Sequence, residues 1–340
     1  MLLQKFDSCQ LWKLLLTQQT KKRQKALAKQ SQIEAKRSER GAHGKTMGDV
    51  RGLIWQSCSK PFVSFLPVGL IIFTLLCFQL QAKDSITGWD ITYREMCKKA
   101  ASDPFYFQNF RALSDYAHAL EVGGVKEYAD YILKHGSPHV LSKMERFENL
   151  DELGSPPRSY IFPLGNFTGT TLRYILFADL IGKLFELPAN PKIVEIGAGF
   201  GGQCYILSEL YPFSKYYIFD LPEPEALIEK MMNALEVQNV ICLPIDQRLP
   251  EEKIDLLISN YAFSECSREM QLDYFERVIK KADRGFMIYT QLSRRVYGMD
   301  TLTTEEFMQL LRENGMNPRI YDEPIKSDVD NHMIIWDRIF

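Results

Sequence analysis

The stretch Lys192-Ile193-Val194-Glu195-Ile196-Gly197-Ala198-Gly199-Phe200-Gly201-Gly202 decides the fold. Its first five residues read as a short buried strand that runs directly into glycines. Glycines permit a sharp backbone turn and close approach of a ligand. A helical pattern follows through Tyr211. Strand, glycine turn, helix is the opening unit of an open α/β sheet, and ligands bind such sheets at the carboxyl ends of the strands.

Downstream the alternation continues. Lys215 to Asp220, Val240 to Ile245, Ile254 to Asn260 and Gly285 to Thr290 are strand patterns. They are separated by helical patterns over Glu223 to Glu236 and over Ser267 to Ala282. The second of these is predicted to carry Leu272, Phe275, Val278 and Ile279 on one face. Thr303 and Glu306 have the spacing of a capping box, and Gly315 ends the helix they open, predicted over Thr304 to Asn314. Pro318 to Asp322 and His332 to Trp336 follow with no helix between them, so they should pair antiparallel. The expected fold class is α/β: a seven-stranded, mostly parallel Rossmann-like sheet with an antiparallel last strand.

Upstream, residues 83–159 are predicted to form a helical cap, with one helix over Phe105 to Val122 and another over Lys126 to Leu133. Tyr160 to Thr171 reads as an irregular aromatic loop able to close over a ligand, and the sheet domain is expected to span residues 160–340. Residues 61–82 carry no charge, and Phe62 to Leu80 approaches the roughly 20 apolar residues that cross a bilayer. The expectation is a single-pass membrane helix with the sheet domain on the cytoplasmic side, against the basic-flank rule. A signal peptide cleaved after an internal start at Met47 is the alternative. Residues 1–60 hold 13 Lys/Arg and 4 Asp/Glu and read as a basic, poorly structured tail.

The whole chain of 340 residues has a net charge of −2, which argues against a nucleic-acid binder. Its 7 cysteines form no C-x-x-C pair, and of its 5 histidines only His135 and His139 have H-x-x-x-H spacing, interrupted by Gly136 and Pro138. This composition excludes a disulfide framework and offers no metal signature. Oligomeric state is not legible.

Two readings compete for the glycine loop. Gly197, Gly199 and Gly202 satisfy G-x-G-x-x-G, which would make the chain an NAD-dependent oxidoreductase. Glu195, two residues before the first glycine, would repel a pyrophosphate but suits a ligand bearing an ammonium and a sulfonium. Asp220, 21 residues after Gly199, ends the next strand, where a carboxylate can accept the hydroxyls of a ribose.

The run Val194 to Gly202 resembles motif I of the class I S-adenosylmethionine-dependent methyltransferases. Glu195 to Gln203, Asp220-Leu221-Pro222-Glu223 and Ser259-Asn260-Tyr261-Ala262-Phe263-Ser264-Glu265 are similar, more narrowly, to the bacterial sugar O-methyltransferases. The resemblance covers residues 160–340. It implies that Glu195, Gly197, Gly199 and Gly201 hold the amino-acid end of S-adenosyl-L-methionine and that Asp220 takes the ribose. It places Asp246 at the adenine amine and Asn260 beside the sulfonium, and it makes the partner a saccharide or other small hydroxyl acceptor. A sugar hydroxyl is a poor nucleophile, so a base is wanted. Glu265 and His332 are the candidates, with Asp330 behind them. A membrane-tethered binding protein without turnover is the non-enzymatic alternative.

Overall fold

The computed structural model describes residues 88–113 and 121–338. Seven strands form one sheet: β3 Lys192–Ile196, β4 Lys215–Asp220, β5 Val240–Pro244, β6 Leu256–Asn260, β7 Arg284–Tyr289, β8 Met316–Asp322 and β9 His332–Arg338. Two short strands, β1 Ser159–Ile161 and β2 Gly165–Phe167, make a separate antiparallel hairpin where an irregular loop was expected. The sheet order is β5-β4-β3-β6-β7-β9-β8. The first four pairings are parallel, and β9 runs antiparallel to both β7 and β8.

Successive residues of a strand face opposite sides, and here each side is apolar. Ile193, Tyr216, Ile218, Leu256, Ile258 and Phe286 point to one layer. Val194, Tyr217, Phe219, Leu257, Met287 and Trp336 point to the other. Burial on both faces is why the strands read as continuous apolar runs rather than alternating ones. Gly285 is required by its neighbour across the ladder: a Cβ there would lie 1.9 Å from the Trp336 ring.

Seven helices matter for the site: α1 Gly88–Ser102, α2 Val125–His135, α3 Gly169–Leu184, α4 Gly202–Leu210, α5 Pro222–Ala234, α6 Arg268–Arg277 and α7 Thr304–Glu313. The first of these packs on α5, where Lys230 donates to the carbonyls of Ala100 and Ala101. Helix α2 lays Tyr128, Ala129 and Ile132 inward, against α3. The capping box of α7 is formed in full.

Three expectations are corrected. Phe275, Val278 and Ile279 are buried as expected, but Leu272 is 41% exposed, and Gln271 and Tyr274 take the inward positions on that turn of α6. The helix expected over Phe105 to Val122 stops at Asn109, after which Phe110 and Arg111 turn into the core. The third is the membrane placement. Among the described residues no helix is long and apolar enough to cross a membrane, and the single-pass assignment is withdrawn. The basic tail and the apolar run Phe62 to Leu80 lie outside the described residues.

Candidate active site

Strand order reverses between β3 and β6: the chain steps outward from β3 to β4 and β5, then returns to the other side of β3. A crevice at such a switch point is where open α/β sheets hold ligands. The glycine loop leaves β3 at that place. Gly197, Gly199 and Gly201 all adopt positive φ, at 74°, 63° and 85°. Gly197 also has no room for a side chain, since a Cβ would sit 2.0 Å from the Cβ of Ala262. The amide of Gly197 donates to Phe219 O at 2.8 Å, tying the loop to β4.

Asp220, at the end of β4, shapes the same loop. Its carboxylate accepts from Ala198 N at 2.9 Å and from Leu221 N at 2.8 Å, one bond on each oxygen. Helix α1 reaches this region too. Arg94 grips Glu223 with two bonds of 3.0 Å and holds its carboxyl below the usual carboxylate range. Tyr93 Oη contacts Gly199 O at 3.4 Å.

Asn260 ends β6 and carries a readable orientation. Gln203 Nε2 donates to Tyr174 O at 3.2 Å, so Gln203 Oε1 faces Asn260 and accepts from Asn260 Nδ2 at 3.2 Å. Asn260 Oδ1 is therefore turned away, and it is buried without a partner. A buried acceptor left empty costs about 1–3 kcal/mol, so it marks a place for a ligand's donor.

Glu195 is 1% exposed and accepts from Tyr216 Oη at 2.8 Å. Burial pushes its carboxyl up to about 8, against the lowering effect of the Tyr216 hydroxyl, with the charge of Asp220 adding to the rise. Asp246 follows β5 on an exposed turn whose carbonyls, Ile245 O and Gln247 O, are held by Arg277.

Beyond Asn260 the chain makes a strained turn. Tyr261 has φ 74° and ψ −44°, a conformation that a residue with a bulky side chain rarely adopts. Its hydroxyl donates to Glu323, and its ring lies under the guanidinium of Arg173, 5.1 Å from the centroid. Glu265 comes four residues later. Solvent reaches it, yet the surrounding protein raises its carboxyl pKa, with Arg173 opposing the rise.

The other two base candidates stand apart. His332 opens β9, two strands beyond β6, and its pKa is lowered by burial and by Lys326. The carboxylate of Asp330 is paired with Arg295 at 3.1 Å. Sequence reasoning missed Arg173, Tyr93, Arg94 and Glu323. Only Arg173 left a signal, as the one cation within the long buried part of helix α3, Gly169 to Ile181. The amino edge of the sheet bears a shallow depression of about 500 Å³ lined by Glu251, Glu252, Lys253, Lys280, Lys281 and Asp283. Glu252 and Asp283 there are already paired with lysines, at the opposite end from the glycine loop.

No family model and no curated protein matches the sequence. Solved structures do. A S-adenosylmethionine-dependent methyltransferase from Clostridium acetobutylicum is 11% identical, covers 48% of this chain and 92% of its own, and superposes with a TM-score of 0.41. A SAM-dependent methyltransferase from Aquifex aeolicus is 20% identical over 48% of this chain and 89% of its own, with a TM-score of 0.38. An rRNA methylase from Streptococcus thermophilus is 12% identical over 50% of this chain and 96% of its own, with a TM-score of 0.37. Two further matches were solved with SAH.

Proposed function

We propose that this chain is an S-adenosyl-L-methionine-dependent O-methyltransferase acting on a hydroxyl of a saccharide-like acceptor. The carrying observation is that the switch-point crevice offers acceptors. Asn260 Oδ1 is unpartnered, the Asp220 carboxylate meets the amides of the loop, and Glu195 stands just behind it. A ligand presenting an ammonium, a sulfonium and ribose hydroxyls satisfies such a set. A dinucleotide pyrophosphate, which needs donors, does not.

In this reading the turn of Gly197, Gly199 and Gly201 takes the amino-acid end of the cofactor with Glu195, Asp220 takes the ribose, and Asp246 the adenine amine. Asn260 faces the sulfonium region. When bound, the cofactor supplies an activated methyl group; the protein supplies alignment and charge balance. Glu265 takes the proton that the acceptor hydroxyl gives up. Its pKa is raised by desolvation, which strengthens the carboxylate as a general base. His332, two strands away, is left without a part in proton transfer.

The test is formation of S-adenosylhomocysteine when the protein is given S-adenosylmethionine and a panel of mono- and disaccharides. Glu265→Gln should lower turnover by roughly 10²–10⁴-fold while leaving cofactor affinity near wild type. Full turnover in that variant would remove Glu265 from the mechanism. Saccharide-independent product formation would remove the sugar.

A further inference from the structure

Helix α3 buries almost every residue from Gly169 to Ile181, and one of them is a cation. Arg173 is 8% exposed. Buried charges are ordinarily paired or hydrogen-bonded, because an unpaired one costs several kcal/mol. Arg173 is neither. Its Nε is buried without a hydrogen-bond partner, and no ion pair to it exists among the described residues. The Nη nitrogens also donate to nothing in the protein; unlike Nε, they are open to solvent. What holds the guanidinium is two aromatic faces, Tyr261 at 5.1 Å and Tyr174 at 5.7 Å. Those rings fix its plane and leave its hydrogen-bonding edge free.

The surroundings are those of the acceptor side of the cleft. Tyr261 directly follows Asn260, Glu265 lies within the electrostatic reach of Arg173, and the carbonyl of Tyr174 holds Gln203, which in turn holds Asn260. The ring of Tyr128 adds a further hydroxyl that no protein group engages, again among the described residues. Glu323 is the carboxylate whose charge is felt at Arg173, but it makes no ion pair with it; its oxygens accept instead from Tyr261 and from Asn331, whose amide is 3.2 Å away.

We infer that Arg173 is the docking point for a carboxylate on the methyl acceptor, so that the substrate class is a hydroxy acid such as an acidic sugar. The inference rests on the proposed acceptor site and names what that site selects. A planar carboxylate matches the free fork of a guanidinium with two parallel bonds. One negative charge also fits the neighbourhood better than two. Glu265 and Glu323 both sit close enough for their charges to be felt at Arg173, and a phosphate dianion would meet repulsion from both.

The experiment is calorimetric titration of the full-length protein, with and without saturating S-adenosylhomocysteine, using D-glucuronate, D-glucose and inorganic phosphate as probes. Saturable glucuronate binding is expected, with glucose at least tenfold weaker. Arg173→Lys keeps a charge between the two rings but loses the fork, and should weaken glucuronate at least tenfold. Arg173→Met should abolish it. The melting transition of each variant shows that it is folded. Absent glucuronate binding, glucose binding as tight as glucuronate, or wild-type glucuronate affinity in Arg173→Lys would overturn the inference. Phosphate binding as tightly as glucuronate would overturn the choice of a carboxylate. A failure of the cofactor reading looks different: S-adenosylhomocysteine itself would not bind, while the arm without it still reports on Arg173.

Discussion

Among the described residues two arginines are buried, and they are opposites. Arg111 is saturated: it pairs with Glu121 at 2.6 Å and Asp151 at 2.8 Å, donates to Leu150 O and Thr168 Oγ1, and lies 4.6 Å from the centre of the Phe200 ring. Arg173 has two aromatic faces and no hydrogen bond. The two are separated by one aromatic contact, Phe200 against Tyr174. The same side chain, buried in both places, therefore stands in two different settings. Around Arg111 the polar groups satisfy one another, and the result is structure. Around Arg173 and Asn260 they do not, and it is there that the proposed ligands would bind.

The sharpest way to break this contrast is Arg111→Met. It leaves the Asp151 carboxylate buried without its cation, and should destabilise the fold by about 3–5 kcal/mol in urea denaturation. A loss under about 1 kcal/mol would mean the cluster is not structural.

The buried carboxyls repeat the contrast, since Asp151 has a cation and Glu195 has only a tyrosine. The Glu195 carboxyl stays protonated in the folded protein up to about pH 8, whereas in the unfolded chain it ionises near its ordinary value of 4.5. Between those limits the folded state binds the extra proton. Its contribution to stability is therefore present below pH 4.5 and lost as pH rises toward 8. Glu195→Gln removes that loss. Between pH 5 and 8 the wild type should lose stability more steeply than the variant, by about 1 kcal/mol per pH unit. Parallel profiles would place the carboxyl in a wetter setting than β3 provides.

On the open side, effects should fall on ligand rather than on fold. Asp220→Ala should weaken S-adenosylmethionine by about 1.5–3 kcal/mol. Gly199→Val should be worse, because a β-branched residue resists the φ of 63° found there. Near wild-type affinity in both would move the cofactor elsewhere. The smallest effect belongs to Arg173→Met, whose unfolding free energy should change by less than about 1 kcal/mol, or rise. A loss as large as that of Arg111→Met would erase the distinction.

Much of this was legible before any coordinates. Lys192–Ile196 and Lys215–Asp220 are strands with the bounds their sequence predicts, because β-branched and aromatic runs ended by a glycine or an aspartate carry their own limits. The antiparallel closing pair and the Thr303 capping box are equally local signals. What escaped depends on distant partners. The burial of Glu195 is made with Tyr216 on the adjoining strand, and the exposure of Leu272 follows from α6 turning Tyr274 onto Phe219 and Phe275 onto Phe307. Arg173 is visible as an oddity in α3, but its lack of a partner shows only in the structure, where its Nε is orphaned and Glu323 accepts from Tyr261 and Asn331 instead. Membrane placement rested on one apolar run, and no described helix supports it.

The central claim is that the glycine crevice is built for a cationic, ribose-bearing cofactor and leaves its acceptors open for it. Titration calorimetry of the full-length protein with S-adenosylmethionine and, separately, with NAD tests this most directly. The account predicts saturable one-to-one binding of S-adenosylmethionine and no measurable heat of binding from NAD. Binding of NAD as tight as or tighter than S-adenosylmethionine would contradict it.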